Sequence, residues 1–169
     1  MFPIIKTERL TLNQVELNDA EFILFQRSSP EVTKYIRREP YTKVEQAIAF
    51  IEMITQQFTE KQSYTWALRN PETNEMLGSI CLWNFSEDRK TAEIGYDLHP
   101  NFQGKGFMNE AMQATINYGF NELNLNQIEA FTSKYNETSK KLLTQNNFIL
   151  NSNRKDEDNE DNFIFELSK

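Results

Sequence analysis

The sequence predicts an α+β fold in which a mostly antiparallel sheet contains one parallel pair of strands. Three strand patterns lie close together along the chain, at residues 63–69, 76–84 and 90–98. The short segments between them are rich in turn-forming residues, and connections this short join antiparallel neighbours. A helical pattern and another strand, 127–132, follow, and a strand–helix–strand unit predicts a parallel pair with a right-handed crossover.

The remaining patterns bring the prediction to seven strands and about four helices in a single domain, residues 1–169. The other strands are predicted at 9–15, 148–150 and 163–167. Helices with one apolar face are predicted before Pro30, after Thr42, after Gly106 as far as about Phe120, and from Asn136 to about Asn146. Thr42, followed three residues later by Glu45, predicts a capping box at the second helix.

Composition indicates an acidic globular protein. The 169 residues carry a formal net charge of −7, which argues against nucleic-acid binding because that binding rests on basic residues. No apolar run approaches the roughly 20 residues of a membrane span, and the N-terminus lacks a signal-peptide pattern. We therefore expect a cytoplasmic protein, either a monomer or a homodimer. The single cysteine, Cys81, excludes an intramolecular disulfide, and the single histidine, His99, argues against a catalytic zinc.

Residues 92–108 join a strand to a helix through a glycine-bearing loop. Pro100 ends the strand, Gly104 and Gly106 allow a tight backbone, and no Ser, Thr or Asp caps the following helix. Free N–H groups at a helix N-terminus bind anions such as phosphate. A nucleotide-triphosphate loop needs Ser or Thr after Gly-Lys, and a dinucleotide fingerprint needs glycine where Asn109 stands. The remaining kind of phosphate-binding loop is a turn with the pattern Gln-x-x-Gly-x-small.

Residues 103–108, Gln-Gly-Lys-Gly-Phe-Met, resemble the coenzyme A loop of the GNAT family of N-acetyltransferases, whose pattern is Gln/Arg-x-x-Gly-x-Gly/Ala. Met108 departs from that pattern at the last position. Three further segments resemble the RimJ/RimL-like branch, which acetylates N-terminal amines of ribosomal proteins and includes the ribosomal-protein-alanine acetyltransferases. They are Thr-Glu-Arg-Leu at 7–10, Ala-Glu-Ile-Gly-Tyr at 92–96 and Asn-Glu-Thr-Ser at 136–139.

The resemblance implies a mixed, mostly antiparallel sheet flanked by helices, in which the two parallel strands splay apart. Acetyl-CoA would fill the gap between them, and no metal would take part. Its pyrophosphate would lie on the backbone N–H groups of six residues, Gln103, Gly104, Lys105, Gly106, Phe107 and Met108. Its pantetheine arm would run along Asp97, Leu98 and His99, and Asn136 would hydrogen-bond it.

The resemblance also implies how the amine and the thioester would be activated. A backbone N–H near Leu98 would donate to the acetyl oxygen. An α-amino group with a pKa of about 8 needs only modest help from a base. By its position in the strand, Glu93 shares a face with Gly95 and Asp97 and could accept the proton through water, with His99 as the alternative base. An exposed strand carboxylate or a structural hydrogen-bond acceptor is the simpler interpretation of Glu93.

The leaving thiolate needs a hydrogen-bond donor. Asn136 is a predicted N-cap, which places Ser139 at the third residue of the helix, and the resemblance implies that Ser139 also faces the sulfur. A serine hydroxyl is too weak an acid to give up its proton outright, so it would donate a hydrogen bond or relay a proton from water. Tyr135 is expected to face elsewhere. Cys81 is expected to be a buried structural thiol, so transfer would be direct.

The sequence leaves the acceptor open. The best candidate is the N-terminal amine of a ribosomal protein, and the alternatives are a small amine, such as a polyamine or aminoglycoside, and a non-catalytic coenzyme A-binding regulatory module. The segment 30–40 and the acidic loop 156–161 are expected to border the acceptor. The carboxylates of that loop could attract a cationic acceptor, although a solvated turn explains them more simply.

Overall fold

A computed structural model describes all residues, 1–169, and contains a single eight-stranded sheet. The strands are β1 (Ile5–Lys6), β2 (Thr11–Gln14), β3 (Tyr64–Arg69), β4 (Met76–Trp83), β5 (Thr91–Leu98), β6 (Gln127–Ser133), β7 (Ile149–Leu150) and β8 (Asn162–Ser168). Their order is β1-β2-β3-β4-β5-β6-β8-β7, and only β5 and β6 are parallel. The predicted α+β fold is confirmed. The additional strand, β1, has two residues and is too short for period-two alternation to reveal.

Five helices accompany the sheet, and none is long and apolar enough to cross a membrane. They are α1 (Ala20–Ser28), α2 (Pro30–Thr33), α3 (Val44–Thr59), α4 (Phe107–Asn121) and α5 (Glu137–Gln145). The single turn of α2 lies in a segment without a helical pattern. The capping box of α3 lies one residue later than predicted, because the Gln46 side chain accepts the backbone N–H groups of Thr42 and Lys43 at 2.8 and 3.0 Å.

Alternate residues of the strands face two apolar cores. Trp66 and Leu68 of β3 belong to a cluster of 18 buried residues that includes Met112 of α4. Ala67, between them, belongs to a second cluster of eight buried residues, together with Ile51 of α3. Helices α4 and α5 therefore cover one face of the sheet, and α1 and α3 cover the other. Full burial of one such apolar side chain stabilises the fold by roughly 1.5–3 kcal/mol.

The parallel pair is joined only at its beginning. Thr91, Ala92 and Glu93 of β5 pair with residues 127–129 of β6, and the pairing then stops although both strands continue. We call the gap between residues 94–98 of β5 and 130–133 of β6 the notch. Since parallel strands end on the same side of a sheet, the loops that lead into α4 and α5 both lie at its wide end. The predicted splayed pair is confirmed.

Candidate functional site

The loop after β5 presents a row of free backbone N–H groups at the wide end of the notch. Gly106 precedes α4 with φ 83° and provides no side-chain cap, and Gly104 has φ 74°. Nothing in the protein accepts a hydrogen bond from the N–H groups of residues 104–108. The positive φ favours glycine at position 106, and a Cβ there would also lie 3.2 Å from Nη2 of Arg9, which would have to shift slightly. The N-terminus of a 15-residue helix favours an anion at this position.

Two residues of the loop motif make internal contacts. The Gln103 side chain donates to the carbonyl of Leu98 at 3.1 Å, and its backbone N–H donates to the carbonyl of Pro100 at 3.3 Å. Gln103 therefore braces the loop against β5, and its N–H is already occupied. Met108 is 8% exposed and packs in the larger core, so its side chain points away from the free N–H groups.

The segment 7–10 holds this loop from outside. The Glu110 carboxylate accepts hydrogen bonds from the Thr7 hydroxyl at 2.5 Å and from the backbone N–H and Nε of Arg9, both at 2.7 Å. The Arg9 guanidinium also donates to the carbonyl of Lys105 at 2.8 Å and lies 4.5 Å from the ring centroid of Phe107. Burial raises the pKa of Glu110, but the hydrogen bonds from Thr7 and Arg9 outweigh it and lower that pKa.

Ser139 lies between the two walls of the notch. Its backbone N–H donates to Oδ1 of Asn136 at 3.1 Å, which confirms the predicted cap of α5. Its hydroxyl accepts a hydrogen bond from Thr132 of β6 at 2.8 Å and lies 2.5 Å from the hydroxyl of Tyr96 of β5. Burial raises the pKa of Tyr96 to about 12, against the opposing hydrogen bond to Ser139, so the phenol remains a donor at neutral pH.

Glu93 lies on the opposite face of β5 from Tyr96, because successive strand residues alternate. Its carboxylate is half-buried, accepts a hydrogen bond from Asn84 at 3.4 Å and has no cation within 4.0 Å. Burial raises the pKa of Glu93 to about 7 against the opposing hydrogen bond from Asn84, and the charges of Glu129 and Asp156 raise it by smaller amounts. A carboxyl group with this pKa can accept a proton near neutral pH.

The backbone N–H of Leu98 points into the notch. The N–H of His99 donates to the carbonyl of Leu77 in β4 at 2.8 Å, and successive N–H groups of a strand point to opposite edges. The Leu98 N–H is thus directed at the edge from which β6 has diverged. Gly78 of β4 makes this geometry possible, because a Cβ there would lie 2.3 Å from the carbonyl oxygen of Asp97.

The side chains of Asp97 and His99 support the fold beside the notch. Oδ1 of Asp97 accepts hydrogen bonds from the Gln26 amide and the Ser79 hydroxyl, both at 3.1 Å. The His99 ring stacks on Phe25 with a centroid distance of 4.7 Å. The predicted contribution of these two residues to a cofactor site is therefore through their backbone.

Two residues with reactive side chains stay outside the site. Cys81 of β4 is half-buried, and burial raises the pKa of its thiol to about 12, so it is a poor nucleophile. Tyr135 is 60% exposed. A surface cavity of about 570 Å³ lies between residues 14–18 and α3, away from the notch.

The segment between α2 and α3 spans the Glu93 face of the notch. At one end the backbone N–H of Tyr41 donates to the carbonyl of Arg27 in α1 at 3.0 Å. At the other end the guanidinium of Arg37 lies 3.3 Å from Asp161, which directly precedes β8 and also pairs with Lys134 at 2.9 Å. Helix α1 contacts β5, and β8 pairs with β6, so this segment joins the two walls.

Two arginines on this side have no carboxylate partner within 4.0 Å. The guanidinium of Arg27 lies 3.6 Å from the ring centroid of Phe50 and donates to the hydroxyl of Tyr41 at 3.2 Å. Burial lowers the pKa of Arg38, and the positive charge of Arg27 lowers it further, against the opposing effects of Tyr41 and Asp97. Sequence reasoning named only the segment 30–40, since an arginine in a helix or loop carries no periodic signal.

Comparison with known families agrees with this architecture. Residues 9–149 match the model of the acetyltransferase (GNAT) domain. The chain belongs to the GNAT family. A GNAT relative, the uncharacterised N-acetyltransferase p20 of Bacillus licheniformis, is 44% identical over 142 residues, which cover 84% of this chain and 80% of p20. The chain is therefore an acetyltransferase.

Solved GNAT structures share the fold along nearly the whole chain. A GNAT acetyltransferase from Bacillus anthracis superposes with a TM-score of 0.81 at 26% identity and covers 98% of both chains. RimL, a ribosomal L7/L12 α-N-protein acetyltransferase solved in complex with coenzyme A, superposes with a TM-score of 0.85 at 17% identity over 98% of both chains. At that identity the likeness to RimL establishes the fold alone.

Proposed function

We propose that this GNAT enzyme transfers the acetyl group of acetyl-CoA directly to a primary amine, and that the N-terminal amine of a ribosomal protein is the leading acceptor. The observation that carries the proposal is Ser139, whose hydroxyl contacts both walls of a notch that has free N–H groups at its wide end. A hydrogen-bond donor for a leaving group and a binding site for phosphates are thereby combined in one gap.

The hydrogen-bond donors that have no partner within the protein fit coenzyme A. The N–H groups of residues 104–108 would hold the pyrophosphate, as the N-terminus of a helix favours an anion. The side-chain nitrogen of Asn136 makes no hydrogen bond within the protein and is available to pantetheine, since only its oxygen caps α5. The backbone of Asp97, Leu98 and His99 would line the arm.

When bound, acetyl-CoA supplies a thioester, whose C–S bond is exchanged for an amide C–N bond. Glu93 takes the proton that the amine loses, directly or through water. The Leu98 N–H donates to the carbonyl oxygen as negative charge develops there. Glu93 and Ser139 lie on opposite faces of β5, which separates the proton acceptor from the donor to sulfur.

Hydrogen-bond counting supports Ser139 as the donor to the sulfur. A serine oxygen accepts at most two hydrogen bonds and donates one. Thr132 already donates to Ser139, and Tyr96, protonated at neutral pH, is placed to donate as well. With both acceptor sites filled, the proton of Ser139 is left for the sulfur.

The acceptor assignment rests on the four family-like segments and on structural neighbours such as RimL. A polyamine, an aminoglycoside or a purely regulatory role are the alternatives. The acidic loop 156–161 gives little support to a cationic acceptor, because Asp161 pairs with Lys134 and Arg37, and the Asp156 carboxylate accepts a hydrogen bond from Asn162.

The test is an acceptor screen that monitors release of the coenzyme A thiol. The panel contains N-terminal peptides of ribosomal proteins, spermidine and an aminoglycoside, each with wild type, Glu93→Gln and Ser139→Ala. We expect thiol release with peptide amines and a much slower release in both variants, while Cys81→Ser serves as the matched control with unchanged activity. Binding of acetyl-CoA without turnover on any amine would favour the regulatory module.

A further inference from the structure

The Glu93 face of the notch, which we call the acceptor side, carries separate negative and positive regions. Glu93 has Glu129 and Asp156 as its charged neighbours, and Glu129 is paired with Arg154 at 2.6 Å, whereas Arg27 and Arg38 have no carboxylate partner. The charges of Glu93, Asp97 and Arg27 all act on the Cys81 thiol, which lies between them on this face of the sheet. A negative and a positive region therefore border the same part of the notch.

Arg27 is held in place with most of its donors unused. Its guanidinium lies 3.6 Å from the ring centroid of Phe50 and 5.2 Å from that of Tyr41, and only Nη1 makes a hydrogen bond, to the Tyr41 hydroxyl. A guanidinium has five N–H donors in a fixed fork, so four remain available. Stacking between rings presents that fork without further ordering.

Both arginines lie near the Glu93 face of β5, since the charge of Arg27 acts on Cys81 and the charges of Arg27 and Asp97 act on Arg38. Arg27 follows Gln26, which contacts Asp97 at the end of β5, the first wall. Arg38 follows Arg37, which pairs with Asp161 beside the second wall. Neighbouring groups partly desolvate the Arg38 guanidinium, but the residue as a whole is exposed, so a ligand can reach it.

We propose that the acceptor is a primary amine that also carries an anionic group, a carboxylate or a phosphate, and that Arg27 and Arg38 bind this group while the amine faces Glu93. This inference rests on the proposed acetyl transfer and names the chemical class of its acceptor. Paired arginines are suited to carboxylate and phosphate oxygens, because the planar fork forms two parallel charge-assisted hydrogen bonds. An anion also relieves the repulsion between the two guanidinium groups.

The proposal separates the candidate acceptors. An N-terminal amine followed by an acidic residue, an amino acid, or a phosphorylated amine carries both charges. A polyamine carries only positive charge, and the arginines would repel it. Selection would thus come from the arginines and not from the acidic loop.

Matched pairs of acceptors test this directly. The phosphate arm compares phosphoethanolamine with ethanolamine, and the carboxylate arm compares the peptide Ser-Asp-Ala-amide with Ser-Asn-Ala-amide. We expect kcat/KM to be roughly tenfold higher for the anionic member of at least one pair, mainly through a lower KM. The arm with the preference distinguishes phosphate from carboxylate.

Variants connect the preference to the arginines. Arg38→Gln, at a side chain without a hydrogen bond or ion pair within the protein, should reduce the preference to within about twofold, and Arg38→Lys should retain part of it. Arg27→Gln should act in the same direction, with thermal unfolding as a check on folding. Lys34→Gln, at an exposed cation of the same segment, is the matched control. KM for acetyl-CoA and kcat/KM for both members of each pair should stay unchanged in Lys34→Gln.

Three results would overturn the inference. Equal kcat/KM for both members of each pair in wild type, or a preference that survives both arginine substitutions, would refute it while leaving acetyl transfer intact. Failure of every amine, neutral members included, to release the thiol would refute the proposed function and this inference together.

Discussion

The two sides of the notch are built in different ways. The coenzyme side consists mainly of backbone groups from one continuous stretch, in which β5, the glycine loop and the start of α4 follow each other directly. The acceptor side consists of side chains from α1, the segment before α3, β5 and the approach to β8. A contiguous backbone site leaves a sequence motif, whereas a site assembled from distant side chains leaves none.

Removal of the proposed base should have the largest effect on the acceptor side. We expect Glu93→Gln to lower kcat/KM about 100-fold at neutral pH, because general-base assistance is lost. Glu93 acts only when ionised, and its pKa is about 7, so wild-type activity should rise from pH 6 to pH 8. The variant should keep only the rise that comes from ionisation of the amine itself, so the ratio of wild-type to variant activity should increase from pH 6 to pH 8 when both are measured with the same amine. An unaltered pH profile would assign the base to another group, with His99 the next to be substituted.

Removal of the Ser139 hydroxyl, the proposed donor to the sulfur, should have a smaller effect than removal of the base. We expect Ser139→Ala to lower kcat about 20-fold, since one hydrogen bond to developing charge is lost, and to leave KM for acetyl-CoA within about twofold. Thr132→Val should lower kcat less, whereas Thr132→Ser, which keeps the donor, should restore it. If Ser139→Ala reacts as fast as the wild type, the role of Ser139 is confined to the first turn of α5.

The contacts of Glu110 with Thr7 and Arg9, which we call the clasp, hold the glycine loop from outside. Their loss should affect binding and not chemistry. We expect Glu110→Gln to raise KM for acetyl-CoA about fivefold, because charge-assisted hydrogen bonds to Thr7 and Arg9 weaken and the loop loses its brace. The value of kcat should remain near wild type. Glu8→Gln, at an exposed neighbour of the clasp, is the control, and an equal change there would indicate a general charge effect.

Sequence reasoning succeeds where the determining signal is local. The alternation of β5, the paired glycines and the Asn136 cap each lie within a few residues, and their bounds are confirmed to within about two positions. The contact of Arg9 with Glu110 joins residues 101 positions apart. Periodicity places Tyr96 on the same strand face as Ala92, but it cannot reveal where a second strand diverges.

The dependence on contacts between distant residues also explains why the acceptor side could not be predicted from the sequence. Ser139 is accessible to prediction through the family-like segment 136–139, yet its partner Thr132 belongs to β6 and becomes visible only with the strand register. Arg27 is an ordinary surface cation of a helix in the sequence. Only the stacking on Phe50 and the missing carboxylate distinguish it.

The smallest effect on activity should follow from Met108→Ala, which tests whether the coenzyme side depends on backbone alone. The Met108 side chain is buried in the larger core, and its removal should lower the free energy of unfolding by about 2 kcal/mol through lost burial and a cavity. The backbone N–H stays in place, so KM for acetyl-CoA should change by less than about twofold. Met112→Ala, deeper in the same core, is the matched control for the stability loss. If KM rises much more in Met108→Ala than in Met112→Ala at temperatures where both are folded, the side chain shapes the loop, and the coenzyme side depends on packing as well as on backbone groups.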